Sequence, residues 1–170
     1  VVCGVWCVVC GTAEWERFNS LNHLAENGIK VKIFGSSWDK KVYSNHHRNL
    51  SIEYKNLDQQ EYFDTIVNSK ISLCFLRKLN RDLQTLRSVE IPAVGGFMLA
   101  ERTIEHIKMF AEDNAAVYFE GDQELLEKVN KYLADEVNRE NIAQNGRLNC
   151  HASFQLSDRL KEIIDMAASQ

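Results

Sequence analysis

Residues 3–34, CGVWCVVCGTAEWERFNSLNHLAENGIKVKIF, decide the fold. The run at 3–10 is apolar at almost every position, the pattern of a central parallel strand buried on both faces. Gly11-Thr12 makes a turn. Over 14–27 the apolar Trp15, Phe18, Leu21, Leu24 and Ala25 recur at three- and four-residue spacing, which predicts an amphipathic helix. Asn27-Gly28 stops it, and residues 29–34 form a second apolar run closed by Gly35. A strand, a crossover helix and another strand in that space make a βαβ unit, which calls for a parallel sheet.

The alternation continues outward. Residues 36–50 are polar and His-rich and read as a loop. A short strand at 51–54 precedes a helix at 58–68 with Asp58 as its N-cap. Further strands are expected at 71–76, 97–100 and 116–119, and helices at 83–93 and 103–111. From Asp122 onward the pattern is helical, in three pieces broken near Asp135 and Ser153. Its apolar positions Leu125, Leu126, Val129, Tyr132 and Leu133 predict packing against the sheet. The expectation is an α/β, doubly wound parallel sheet with a helical C-terminal tail, forming one domain over 1–170.

Composition narrows the function classes. A net charge of −4 argues against nucleic acid as the main ligand, because phosphate-backbone binders need a basic face. No apolar run approaches the roughly 20 residues that span a bilayer. The chain does not begin with Met, as expected of a segment inside a longer protein. Five cysteines, three of them crowded into 3–10, are no disulfide framework and point to the cytoplasm.

In an open parallel sheet, ligands bind beyond the carboxyl ends of the strands. That singles out the loops at 11–14, 35–39, 77–82 and 95–102. Gly11-Thr12, just ahead of the first helix, suits a phosphate on free backbone N–H groups, or is simply a tight turn. Around the Pro-Ala-x-Gly-Gly turn at 92–96 stand Arg81, Asp82, Arg87, Glu90, Glu101 and Arg102. A carboxylate at Glu90 can accept from both hydroxyls of a ribose, and nearby arginines can pair with a diphosphate. The alternative is a solvated helix whose charges pair internally, Asp82 with Arg81 or Arg87.

The segment Glu90-Ile91-Pro92-Ala93-Val94-Gly95-Gly96-Phe97-Met98-Leu99-Ala100-Glu101-Arg102-Thr103, with Arg87 ahead of it, resembles the "R-x-x-E-I-P-A-x-G-G-F-x-L-x-E-R-T" stretch of group-1-type glycosyltransferases related to spore maturation proteins. The similarity extends to Val117-Tyr118-Phe119, to Ile142-Ala143-Gln144-Asn145-Gly146-Arg147, and to His151 and Arg159. Upstream, Gly11-Thr12, Glu16-Arg17 and Phe34-Gly35-Ser36-Ser37-Trp38 resemble its "G-T", "E-R" and "F-G-x-x-W" elements. The resemblance implies a GT-B enzyme built of two Rossmann-like halves, with this chain the donor half. The ligand would be a nucleotide-diphospho-sugar, with no metal or cofactor, and the general base and acceptor site would come from an N-terminal half.

By the same resemblance Glu90 is the second glutamate of a Glu-x7-Glu motif and holds the donor ribose. The first position falls on Asp82, a shorter acid than the family's. Arg87 and the Gly95-Gly96 turn would sit near the diphosphate. The donor-contacting set implied is Gly11, Thr12, Trp38, Asn80, Asp82, Arg87, Glu90, Gly95 and Gly96. A non-catalytic nucleotide- or protein-binding module of the same fold is the alternative.

Other constellations carry less. Cys3, Cys7 and Cys10 match the C-x3-C-x2-C spacing of an iron–sulfur ligand set, but they lie in an apolar strand, where cysteine acts as a small hydrophobe. His46-His47 near Asp39 is a poor metal site, because adjacent histidines in a loop cannot readily face one ion.

Overall fold

β1, Cys7–Cys10, is the axis about which the sheet is wound, with β2 (Val31–Phe34) on one side and β4 (Ile71–Cys74) on the other, both parallel to it. With β3 (Leu50–Glu53), β5 (Met98–Glu101) and β6 (Val117–Phe119) the order is β3-β2-β1-β4-β5-β6, every neighbouring pair parallel. The chain steps outward from β1 to β3, then returns to lay β4 against β1's free edge. This is the doubly wound order, and its switch point lies between β1 and β4. The coordinates are a computed structural model, which describes residues 6–154 and 156–168.

β1, β2 and β3 contribute to one core, and β4, β5 and β6 divide their side chains between two. Cys7, Val9, Val31, Ile33, Leu73, Leu99 and Val117 pack against α1 (Trp15–Glu26) and α5 (Gly121–Ala134), through Phe18, Leu21, Leu24, Leu125, Val129 and Tyr132. Cys74, Met98, Ala100 and Tyr118 face the other way, onto Ile66 of α2 (Gln59–Val67), Ile91 of α3 (Arg87–Ala93) and Cys150 of α6 (Glu136–Ser153). Burial of each large aliphatic side chain stabilises the fold by about 1.5–3 kcal/mol, so the strand parity alone dictates both layers. Asp58 caps α2 as its sequence requires. Its carboxylate accepts from the Glu61 N–H at 2.8 Å, and Glu61 returns the bond to the Asp58 N–H at 3.2 Å.

Several expectations shift. The helix expected from residue 83 begins at Arg87, because the Ser88 hydroxyl accepts from the Thr85 N–H at 3.0 Å and Thr103 Oγ1 donates to the Leu83 carbonyl at 2.6 Å, holding 83–86 as a turn. The tail breaks where expected, giving α5, α6 and α7 (Leu156–Ala168). α5 packs on the sheet, but α7 leaves Leu160, Ile163, Ile164 and Met166 exposed. Positions 3–5 of the first strand, Cys3 included, and the side chain of Arg159 lie outside what the structure describes.

Candidate functional site

The loops leaving the carboxyl ends of β1 and β2 form one wall of a cleft of about 520 Å³ at the switch point. Gly11 and Thr12 follow β1, and Gly35, Ser36 and Ser37 follow β2. Asn56 and Leu57 come from the β3–α2 loop and Tyr62 from α2. Leu86, Arg87 and Glu90 close the opposite wall from the turn that opens α3.

The two glycine loops are interlocked. Trp38 Nε1 donates to the Gly11 carbonyl at 2.9 Å, and Ser37 Oγ accepts from the Ala13 N–H at 2.9 Å. A side-chain carbon at Gly35 would run into the Gly11 carbonyl oxygen and stand 3.0 Å from the Trp38 ring, so only glycine closes the joint. Asn56 Oδ1 accepts from the Ser36 N–H at 3.1 Å, tying in the third loop.

Two guanidinium groups flank Gly11. A carbon built on it would lie 3.1 Å from Arg17 Nη1 and 3.7 Å from Arg87 Cζ. Arg17, on α1, is 3% exposed. It donates to the Thr12 carbonyl, to the Leu76 carbonyl at 3.4 Å and to Glu14 Oε2 at 3.4 Å. Burial pulls its pKa down, Glu14 works against that, and the like charge of Arg87 adds to the depression.

Across the cleft, the Tyr62 hydroxyl donates to Glu90 Oε2 at 3.1 Å. Burial first, then the Glu90 charge, pushes the Tyr62 pKa well above the usual phenol range, so it stays a donor. The Cys10 thiol is pushed up to about 12 by burial, with Arg87 opposing, so it presents a thiol and not a nucleophilic thiolate.

The structure therefore brings Gly11, Thr12, Arg87 and Glu90 together. Trp38 lies beneath them, 2% exposed, bracing the wall from behind and not lining it. Asn80, exposed in the single 3-10 turn Lys78–Asn80, and the half-buried Asp82 stand on the β4–α3 loop outside the lining. Asp82 forms no ion pair with Arg81 or Arg87 among the described residues.

Gly95 and Gly96 lie apart from the other expected donor contacts. α3 starts at the carboxyl edge of the sheet and ends at the amino edge, so the helix carries Glu90 near its start and delivers the glycines to the far side. There Gly95, at φ +85°, and Gly96 border a separate 240 Å³ hollow with Arg139 and Glu140 of α6. Sequence reasoning missed Tyr62, which the apolar period of α2 hides, and Asn56, which no motif marks. Among the described residues, no three His, Cys, Asp or Glu side chains gather as a metal site. No helix among them is long and apolar enough to cross a membrane.

A model of the glycosyl transferase-like family matches residues 17–165. The chain belongs to that family. No curated protein matches it. Among solved structures, this glycosyl transferase-like chain is similar to Anabaena HepE, solved in complex with UDP-glucose, at 12% identity and a TM-score of 0.78. The match covers 98% of this chain and 50% of HepE, so the chain spans about half that relative's length. The C-terminal domain of the Francisella tularensis group 1 glycosyl transferase LpcC matches at 14% identity and TM-score 0.67, over 89% of this chain and 87% of that one. Sucrose-phosphate synthase from Thermosynechococcus elongatus matches at 12% and 0.72, over 99% of this chain and 46% of the synthase. These likenesses show the fold: a Rossmann-like half of the GT-B architecture with helices at its C-terminus.

Proposed function

We propose that the chain is the donor-binding domain of a group-1-type, spore-maturation-protein-like glycosyltransferase, and that its cleft holds a nucleotide-diphospho-sugar. The observation that carries this reading is the meeting of Glu90, Arg87 and the Gly11–Thr12 backbone in one cleft at the switch point. Glu90 Oε2 is engaged by Tyr62, which orients the carboxylate toward the vicinal hydroxyls of a ribose. Arg87, with Arg17 behind Gly11, supplies positive potential for the diphosphate. Asn80 and Asp82, on the β4–α3 loop beside the lining, are assigned to the sugar end. Gly95 and Gly96 serve packing instead.

In the reaction the bond between the sugar's anomeric carbon and the diphosphate oxygen breaks, and the nucleoside diphosphate leaves with the electron pair. A bond to the acceptor oxygen forms, and the acceptor's proton passes to a base in the N-terminal half. Charge grows on the departing diphosphate, where preorganised cations and N–H groups stabilise the transition state most. Arg87 meets that charge, in the metal-independent mode that the family resemblance implies. The thiols Cys7, Cys10, Cys74 and Cys150 are free, which supports a cytoplasmic setting. A non-catalytic module of the same fold is the second reading, favoured by the placement of Asp82 outside the lining.

The test is a thermal-shift screen against UDP, GDP, ADP, dTDP and their sugar conjugates. One nucleotide should stabilise the chain, and Glu90→Ala should abolish the shift while leaving the unliganded melting temperature within a few degrees. A shift that survives in Glu90→Ala would remove Glu90 from the site, and no shift at all would favour the non-catalytic module.

A further inference from the structure

His106, in the first turn of α4 (Ile104–Met109), is fully buried outside the cleft, yet its ring reaches the helix that carries Arg87 and Glu90. Nδ1 lies 2.7 Å from the Glu101 carbonyl oxygen and Nε2 lies 2.7 Å from Ser88 Oγ. A carbonyl only accepts, so Nδ1 carries the proton, and in the neutral ring Nε2 must accept from the Ser88 hydroxyl. With its hydrogen committed to His106, Ser88 Oγ is free to accept the Thr85 N–H at 3.0 Å. Each hydrogen in the chain Glu101–His106–Ser88–Thr85 then has its acceptor, and Cys74 Sγ lies 3.9 Å from Ser88 Oγ as a further contact.

A second strand of the same contact comes from Thr103. Its hydroxyl donates to the Leu83 carbonyl at 2.6 Å and accepts from the His106 N–H at 3.0 Å, capping α4 while pinning the loop before α3. The Tyr118 ring lies parallel to the imidazole, centroids 5.8 Å apart, and fixes its plane. Leu83 is thus held by Thr103, the N-cap of α4, and Ser88 by His106, on either side of Leu86 and Arg87 at the cleft wall, while Thr85 is held through Ser88. Glu90 lies two residues beyond Ser88, in the same turn.

We infer that Ser88, His106 and Thr103 form a clasp that positions Arg87 and Glu90 for the nucleotide. They are positioning residues and do not line the cleft. The inference rests on the donor-site reading above only for its ligand. A buried network in which every donor and acceptor is used holds one geometry, and a site loosened at its support loses affinity without losing its contacting groups.

The experiment uses the whole chain. UDP affinity is titrated well below the melting temperature, and amide hydrogen exchange is followed in the ligand-free protein. Variants are Ser88→Ala, His106→Leu, His106→Gln and a control, Val129→Ala, in the core on the opposite face of the sheet. Ser88→Ala and His106→Leu should each weaken UDP binding about tenfold and speed exchange at the amides of 85–90 by a similar factor, the size expected for one lost internal hydrogen bond. His106→Gln, whose amide oxygen can take the place of Nε2 as acceptor, should keep both within about twofold. Val129→Ala should lower the melting temperature and change neither. Unchanged exchange at 85–90 in Ser88→Ala overturns the clasp, as does faster exchange with unchanged UDP affinity. If the wild-type chain binds no UDP, the titration is repeated with GDP, ADP and dTDP, and if none of them binds, the donor-site reading fails and the exchange arm alone judges the clasp.

Discussion

Tyr62 Oη donates to Glu90 Oε2 across 3.1 Å, bridging α2 to α3 at the mouth of the cleft. Among the described residues it is the side-chain hydrogen bond that reaches Glu90. Tyr62→Phe keeps the ring and removes that donor. Nucleotide affinity should fall about tenfold, within the range for a hydrogen bond to a charged group, while stability changes little. Isothermal titration calorimetry of the two proteins decides it, and equal affinities would mean that Glu90 needs no brace.

Arg17 acts by a different route. It is buried against three acceptors, Thr12 O, Leu76 O and Glu14, with its guanidinium 5.8 Å from the centre of the Phe75 ring. Arg17→Met should cost about 3 kcal/mol in a urea melt, because the Thr12 and Leu76 carbonyls lose their donor and Glu14 is left with Arg77 as its ion-pair partner. A loss under 1 kcal/mol would show that water replaces the guanidinium readily.

Gly35→Ala tests the interlocked loops. The new methyl meets the Gly11 carbonyl and the Trp38 ring, and forcing both apart should cost about 3 kcal/mol. Trp38→Phe should cost about 1 kcal/mol by removing one hydrogen bond. Combined, they should cost less than the sum, since each loosens the same joint. Additive losses in the double variant would show the two contacts to be independent.

His106 sets a pH dependence whose sign follows from its environment. Burial holds the imidazole below its ordinary value of 6.5, with the bond to the Glu101 carbonyl opposing. No charged side chain among its hydrogen-bond or ring partners offsets that burial: they are Ser88, Tyr118 and a backbone carbonyl. Below about 6.5 the unfolded chain binds a proton that the folded chain refuses, so stability falls as pH drops from there toward the folded pKa. His106→Gln removes the titrating group, and its stability profile should be flatter than wild type through that window. Superimposable profiles from urea melts would count against a neutral buried imidazole.

The fold was open to reading because each strand carries its own signature. Cys7–Cys10 and Ile71–Cys74 are buried on both faces, and such runs admit few alternatives to central parallel strands. Asp58 with Glu61 marks a helix start by chemistry that acts within four residues. The site was half legible. Glu90 and Arg87 stand out as charges beside the Pro-Ala-x-Gly-Gly turn, but the motif does not reveal that Gly95 and Gly96 lie at the other edge of the sheet. Their end of the sheet depends on which way α3 runs, and that is set by the β4 and β5 strands together and not by the local motif. Tyr62 was invisible because a tyrosine at an apolar helical position looks like packing until Glu90 is found opposite. The exposed stripe on α7 shows the converse: periodicity identifies an apolar face but not what, if anything, lies against it.

The joint between the glycine loops turns that wall of the cleft into a single plate. Thr12 cannot shift under a ligand without pulling Gly11, and Gly11 is fastened to the indole of Trp38. Of the three tryptophans, Trp38 is 2% exposed, Trp6 is half-buried and Trp15 is 56% exposed, so Trp38 should emit furthest to the blue and Trp15 furthest to the red. The blue component is then a built-in optical gauge of occupancy, readable on the unmodified protein without a labelled ligand.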